Sequence, residues 1–470
     1  MADINLGVGG ANSAVAGGYE IENSLKLEAD DSQYIDDRHY TAGNRKKLTI
    51  SFWFKRTELG QEQMPYEQSS LQARIYLRNT DDLYITAYDN SGWTIITNRL
   101  FRDTSAWYHC VFQLDTTQST AADRMKLWIN GQQETSFSSA SYPTQNADTF
   151  FNTNQSAKVG GGGAGLYFSG YMSEFFFIDD QALQASDFGE YDSDSGIWIP
   201  KEYAGTFGGQ SYYLEFKNAS NLADRSDGLS NGVSLSVQNI TSADQATDTP
   251  TNNFAILNPL FKYPPSQEIT EGNTEVTRTS GTGLNKTFLA TMPVYSGKWY
   301  AEFEPAASSN YVVGIMPDST AATVAMDANY LGNSAYAESI SYYSATGQKI
   351  VAPSGGSAYG DTYTTGDTIG IALDMDNRYV YFAKNGTWQN SGDPTSGATG
   401  TGGIALTNTT DGHLIGFTYD TGGNMYCNFG GYTVSSLASA ASDANGYGTF
   451  EYAPPSGYYA LCSRNLSEFG

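Results

Sequence analysis

Positive charge is scarce in this sequence. Its 25 Lys and Arg stand against 50 Asp and Glu, a formal net charge of −25 over 470 residues. So acidic a surface repels a phosphate backbone, so no nucleic-acid partner is expected. It also repels anionic membranes and anionic cell envelopes, so a glycan partner should be neutral or be reached through divalent cations; the same charge also keeps a protein soluble. Cysteine is scarce too. Cys110, Cys427 and Cys462 are odd in number and include no C-x-x-C pair, which excludes a disulfide framework and a structural zinc site and fits assembly in a reducing cytoplasm. No apolar run approaches the ~18–20 residues that span a bilayer, so no membrane insertion is expected. Met1-Ala2-Asp3-Ile4-Asn5-Leu6 lacks the basic and apolar regions of a secretory signal.

What is abundant is glycine, small polar residues and tyrosine. There are 34 Tyr and 50 Gly, and aromatic residues make up 14% of the chain. Many aromatics, Gly-rich turns and few helix formers favour an all-β fold. A hydrophobic share of 40% argues against disorder despite a mean hydropathy of −0.40. The length suggests two or three domains.

Residues 1–23 are small and rich in Gly and Ala and read as an arm. Residues 24–200 carry short alternating runs broken by turn residues. In Thr49-Ile50-Ser51-Phe52-Trp53-Phe54-Lys55, strand periodicity puts Ile50, Phe52 and Phe54 on one face. Lys126-Leu127-Trp128-Ile129 runs into Asn130-Gly131, a strong hairpin signal because a type I′ turn needs positive φ at both positions. A short helical hint sits at Gln181-Ala182-Leu183-Gln184-Ala185. Residues 201–258 read as a connecting segment that ends in the polar run Asp248-Thr249-Pro250-Thr251-Asn252-Asn253. The β pattern resumes over residues 259–440. Ile369, Ile371, Leu373 and Met375 share a face there, and Asn385-Gly386 marks a second hairpin. Residues 441–470 read as a C-terminal tail. The expected fold class is all-β: two antiparallel jelly-roll β-sandwich domains in series, with a short N-terminal arm and a C-terminal tail.

The residues at Leu48 to Lys55, Trp107-Tyr108-His109, Leu127 to Gly131, and Phe168-Ser169-Gly170-Tyr171-Met172-Ser173-Glu174 give the first domain its likeness. It resembles a laminin-G-like, concanavalin-A-type sandwich. Gly297-Lys298-Trp299-Tyr300-Ala301-Glu302, Gly366-Asp367-Thr368-Ile369-Gly370 and Tyr381 to Trp388 make the second resemble a SPRY domain. The joined arrangement looks like surface proteins of marine tailed-phage virions. The segments that carry this are Asp179-Asp180-Gln181-Ala182-Leu183, Trp198-Ile199-Pro200-Lys201-Glu202-Tyr203, Asp248 to Pro259 between the domains, and the closing Pro454-Pro455-Ser456-Gly457 to Asn465-Leu466. The resemblance implies a virion protein assembled in the host cytoplasm. It would be a capsid-attached knob or decoration, or a short tail fibre, with other virion proteins as partners, a host-surface glycan or protein as ligand, and homo-oligomerisation open.

Some concanavalin-A-type proteins are glycanases, which need two carboxyls ~5 Å apart for retention. An E-x-D-x-x-E strand would supply them, and none is present. Glu302 and Glu304 share a strand face beside Trp299 but lack a third acid, so a solvated face is the expectation and no enzyme is predicted. Of the histidines His39, His109 and His413, His109 sits in an aromatic strand and reads as structural. There is no G-x-S-x-G elbow. The glycine run at residues 160–165 lacks the Lys and the helix of a phosphate loop. Asp374-Met375-Asp376-Asn377 lacks the glycine and distal glutamate of an EF-hand. Asn218 and Asn285 begin chance glycosylation patterns. No cofactor is expected. Laminin-G-type domains sometimes hold Ca²⁺ at the rim, which leaves a weak site from Asp81, Asp82 or Asp148 open.

What remains is aromatic loop surface, since tyrosine offers amphipathic contact area at low entropic cost. SPRY domains bind through inter-strand loops. The expected binding residues are Tyr330 and Tyr336 in residues 317–338, Tyr359 and Tyr363 in residues 353–365, and Tyr142 and Asp148 in the first domain. Alternatively these tyrosines pack their loops or contact neighbouring virion subunits. The alternatives to the functional reading as a whole are a polysaccharide-degrading virion enzyme and a purely structural capsid cement without ligand.

Overall fold

A computed structural model describes residues 18–87, 92–262, 268–277, 286–307, 310–324, 329–408, 410–419 and 422–470. Residues 1–17 of the expected arm, and Asn285, lie outside the described residues. The chain divides into two compact units that meet between Asn252 and Asn253. Each is built on two packed, predominantly antiparallel sheets, as the all-β reading required.

In the N-terminal unit one sheet runs in the order Gln132–Gln133, Met125–Ile129, Tyr108–Asp115, Lys47–Arg56, Gly170–Asp179, Ser24–Leu27, Gln245–Ala246. The other begins at Phe137–Ser141 and ends with Ser156–Val159, Tyr34–His39 and Val233–Gln238. Ile50, Phe52 and Phe54 point between the sheets and are fully buried, as their alternation demands. Both hairpin turns form as read. Asn130 and Gly131 take φ of 48° and 77°, and Asn385 and Gly386 take 49° and 75°. Gly131 is required twice over, because a Cβ there would lie 2.2 Å from the Trp198 ring. The glycine run is likewise a packing device, since a Cβ on Gly160 would meet Leu27 at 2.4 Å. The helical hint at residues 181–185 yields only a 3-10 turn, Ala185–Asp187.

Residues 201–252 are not a connector, which corrects the expected boundary. Tyr212–Leu214 pairs with Gly170–Asp179, Val233–Gln238 with Tyr34–His39, and Gln245–Ala246 with Ser24–Leu27. The segment also covers the outward face of the first sheet, where Tyr213 stacks on Phe176 at 4.0 Å. Its polar end looked like a linker because its polarity is spent on buried partners. The Asp248 carboxylate accepts from Lys55 Nζ at 2.8 Å and from Trp107 Nε1 at 3.0 Å, with all three residues buried. Burial pulls the Lys55 pKa down, and Asp248 opposes that pull.

In the C-terminal unit, one sheet orders Leu257–Lys262, Lys286–Ala290, His413–Tyr419, Tyr311–Pro317, Ile340–Tyr343, Gln348–Val351, Gly355–Ala358. The other runs from Glu268–Thr270 through Glu275–Thr277, Met425–Asn428, Lys298–Pro305, Ile369–Asp374 and Tyr379–Lys384 to Thr387–Trp388. Trp299, Phe303, Ile369, Ile371 and Leu373 face the core together with Val313, Ile315 and Phe417. The expected tail, residues 441–470, is also integral, a second correction. Tyr459–Ala460 adds a parallel strand to Lys298–Pro305, and Phe450, Tyr458 and Cys462 bury Tyr300 and Ala372 on the outer face of the second sheet. Asp443 organises this cover by accepting from the amides of Tyr447 and Ala460, each at 2.9 Å on its own carboxylate oxygen, and from Asn465 Nδ2 at 2.8 Å.

Breaking a buried ion pair by neutralising one partner leaves the other charge uncompensated. Asp248→Asn should therefore lower the unfolding free energy of the N-terminal unit by about 3–5 kcal/mol in urea titrations followed by Trp fluorescence. A loss under about 1 kcal/mol, the range of exposed pairs, would contradict this role.

Candidate functional site

Strand alternation splits Lys298–Pro305 into two faces. Trp299, Ala301 and Phe303 enter the core, whereas Tyr300, Glu302 and Glu304 lie on the outer face. Trp299 is thus not beside the glutamates, as the sequence suggested, but opposite them. The neighbouring strand Met425–Asn428 sets Asn428 across from Glu302 and Tyr426 across from Glu304. These four side chains floor a cleft of about 370 Å³. One wall is Thr433, Ser435 and Leu437, a second is Glu451 and Tyr452, and Thr368 and Asn385 close the rim.

Glu302 holds the second wall in place. Its two carboxylate oxygens accept from the backbone N–H groups of Glu451 and Tyr452, each at 2.8 Å, and from the Tyr300 hydroxyl at 2.9 Å. Burial pushes its pKa up to about 7, outweighing these hydrogen bonds, which favour the anion. Glu304 accepts from the Ser435 hydroxyl. The tyrosine rings of residues 426 and 452 supply apolar faces. Among the described residues the lining holds three carboxylates and no Lys, Arg or His. Such a cleft can receive an uncharged polar ligand that donates hydrogen bonds and stacks on rings.

A smaller cleft of about 190 Å³ opens on the outer face of the other sheet. Val312, Thr418 and Tyr343 come from three adjacent strands, and Tyr330 and Ile350 complete its sides.

The structure separates the expected binding tyrosines. Tyr330 lines the smaller cleft. Tyr336, Tyr359 and Tyr363 are interior, with 0%, 6% and 5% of their surface exposed, and cannot present a ligand surface. Tyr336 plugs the outer sheet face among Leu331, Val312 and Leu414. Tyr359 and Tyr363 pack on Tyr342 at one end of the sandwich, and the Tyr363 hydroxyl donates to the Tyr342 carbonyl at 2.8 Å. Tyr142 is half-buried against the core of the N-terminal unit, while Asp148 is exposed, 3.9 Å from Lys46. Neither lines either cleft. Two of the suggested Ca²⁺ ligands are engaged by arginines. Asp81 is held by Arg56 at 3.1 Å and Arg102 at 2.9 Å, and Asp82 by Arg78 at 2.5 Å, so their oxygens already have cations.

His109 has the structural role read for it. Its ring lies between Trp53 and Trp198, with centroids 4.6 and 6.0 Å away. Trp198 Nε1–H donates to Nδ1 at 3.0 Å, so Nε2 carries the proton and meets Ser51 Oγ at 2.9 Å. Burial lowers its pKa to about 3, which keeps the imidazole neutral. Asp374 bonds Lys298 at 3.0 Å and caps its turn by accepting from the Asn377 amide at 2.8 Å.

Sequence reasoning missed most of the larger cleft. The alternation of Met425-Tyr426-Cys427-Asn428 could have placed Tyr426 and Asn428 on the same face. Glu451 and Tyr452 arrive through tertiary packing, and no local pattern marks them.

A family model described as the concanavalin A-like lectin/glucanases superfamily matches residues 28–187, and a SPRY domain model matches residues 298–422. The chain therefore carries a concanavalin A-like domain and a SPRY domain. Three similar solved structures are a human SPRY domain, the SPRY domain of human HERC1, and Domain 4 of AbnA, a GH43 extracellular arabinanase from Geobacillus stearothermophilus in complex with arabinotriose. The first is 15% identical with a TM-score of 0.27, covering 34% of this chain and 96% of that one. The second is 18% identical with a TM-score of 0.28, covering 36% and 96%. The third is 18% identical with a TM-score of 0.27, covering 35% and 73%. No curated protein matches the chain. The cleft wall formed by residues 433–452 lies outside the SPRY match.

A carboxyl whose pKa is raised on folding contributes stability that is complete below its ordinary value of 4.5 and is lost as pH rises through about 7. The C-terminal unit should therefore lose stability from pH 4.5 to 7, and Glu302→Gln should flatten that slope while lowering stability at acid pH. Urea midpoints of the two proteins, taken across this window, check it. Parallel slopes would contradict the assignment.

Proposed function

We propose that this chain is a non-enzymatic surface protein of a tailed-phage particle, a capsid-attached knob or decoration or a short tail fibre, which holds a neutral host-surface glycan in the larger cleft of its SPRY unit. The observation that carries the reading is the cleft lining. Tyr426 and Tyr452 offer ring faces beside carboxylate, amide and hydroxyl groups, the mixture that grips a sugar by its apolar face and its hydroxyls. Three carboxylates without a facing cation oppose a sulfated, phosphorylated or uronic-acid glycan. The net charge of −25 acts in the same direction at long range.

A glycan-degrading role requires one carboxyl to protonate the leaving oxygen and a second to attack or activate water. Glu302 has both oxygens committed to the amides of residues 451 and 452, and Glu304 is tied to Ser435. That arrangement supports binding without turnover. Placement on a particle is supported by the resemblance of the inter-domain and closing segments to phage virion proteins, which also makes other virion proteins the expected partners.

Purified protein should bind neutral host polysaccharide and intact host cells, and Tyr452→Ala should weaken both at least tenfold, since a buried aromatic anchor dominates such contacts. Antibody labelling of intact particles in electron micrographs should decorate their surface. Release of reducing ends from any tested polysaccharide would overturn the non-enzymatic reading. Surface labelling without any glycan or cell binding would reduce the protein to a structural cement.

A further inference from the structure

The smaller cleft of the SPRY unit, on the opposite sheet from the larger one, has no part in the reading above. Its floor is the outer face of three adjacent strands, where Val312 pairs with Tyr343 on one side and Thr418 on the other. Residues 329–338 close that face at one end by driving Leu331 and Tyr336 into it, and Tyr330 stands beside the part that the described residues leave open. Tyr330, Tyr343 and Ile350 are only partly buried and pack on the cluster beneath. Their rings and methyl groups make the walls, and exposed Asn310 stands at the mouth.

Three features define what fits. At about 190 Å³ the cleft is too small for a strand or helix and suits one ring-sized group. None of its lining side chains is ionisable at neutral pH, so it offers nothing to balance a charged ligand. Third, its buried polar groups are bonded within the protein, while its rim groups leave their hydrogen-bonding capacity to solvent or a ligand. Tyr311 Oη donates to the Ala307 carbonyl at 2.5 Å and accepts from the Asn424 amide at 3.1 Å, and Thr418 Oγ1 bonds Thr287 Oγ1 at 2.7 Å. By contrast, among the described residues the hydroxyls of Tyr330 and Tyr343 and the amide of Asn310 make no hydrogen bond. A ring with one apolar face and several hydroxyls uses both the walls and these rim donors, whereas a purely apolar ring would strand them as it excluded water.

We infer that this cleft is a second ligand site, and that it takes a single uncharged pyranose ring against Tyr330, Tyr343 and Ile350. With the larger cleft on the other sheet, the SPRY unit then carries two sugar subsites, and avidity on a repetitive polysaccharide follows from effective concentration rather than from tight individual contacts.

The test uses the full chain with ¹³C-labelled Ile and Leu methyl groups. Ile350 reports the smaller cleft and Leu437 the larger, so failure of this inference and failure of the proposed function are told apart. The probes are neutral methyl pyranosides, with glucuronate and glucosamine as charged controls and cyclohexanol as an apolar one. The Ile350 methyl should shift saturably with at least one neutral pyranoside and not with the charged sugars. Tyr343→Ala should abolish that shift, and Tyr330→Phe, which removes only the hydroxyl, should weaken it about three- to tenfold, the worth of one hydrogen bond. The inference is overturned if Ile350 stays unmoved by every pyranoside in a folded protein, if Tyr343→Ala binds as the parent does, or if cyclohexanol binds better than the sugars.

Discussion

Each unit depends on a carboxylate that is buried where chain beyond the family core folds back over the outer face of a sheet. In the N-terminal unit the carboxylate belongs to the returning chain, as Asp248 meeting Lys55 and Trp107. In the C-terminal unit it belongs to the sheet, as Glu302 receiving the amides of residues 451 and 452. A sandwich of two sheets buries only their inner faces. Here the outer faces carry Trp53, Phe176, Tyr300 and Tyr381, which need cover of their own. The buried carboxylates fix the register of that cover, because a slipped strand would leave a charge or two amides without partners, at a cost of about 1–3 kcal/mol for each amide.

The same device generates the candidate site. A bare sheet face is too flat to hold a small ligand. When residues 433–452 are laid across the strands Lys298–Pro305 and Met425–Asn428, the gap between cover and sheet becomes a cleft. Glu302 thereby positions Tyr452, and on the proposed reading this positioning is its contribution to ligand binding. Its oxygens are committed to the amides of residues 451 and 452, which on the same reading leaves a carboxylate-lined cleft free for recognition. On the opposite sheet, residues 329–338 cover part of the face, and the part that the described residues leave open forms the smaller cleft.

The sequence carried the sheets legibly because their signal is local. Two-residue periodicity in Ile50, Phe52 and Phe54 and in Ile369, Ile371 and Leu373 matches burial in both cores, and the two Asn-Gly turns form where they stand. What was illegible is tertiary. Asp248 and its neighbours looked like linker because sequence shows polarity but not its partners. Tyr336, Tyr359 and Tyr363 looked like loop surface because a tyrosine in a loop is equally able to plug a sheet. Tyr330 lies six residues before Tyr336 in the same loop and does line a cleft, a difference set by the path of the loop and not by composition. The wall formed by Glu451 and Tyr452 comes from the stretch that reads as a tail, so these residues had no pattern to announce them.

The dependence of the cover on its buried carboxylate is tested most directly by hydrogen–deuterium exchange on the full chain carrying Glu302→Ala. Without the carboxylate, the amides of residues 451 and 452 lose their acceptors, and exchange across residues 433–458 should accelerate more than tenfold. The N-terminal unit should exchange as in the parent protein. If residues 433–458 kept their parent protection, the cover would be held by other means, and the account of how this cleft is built would be wrong.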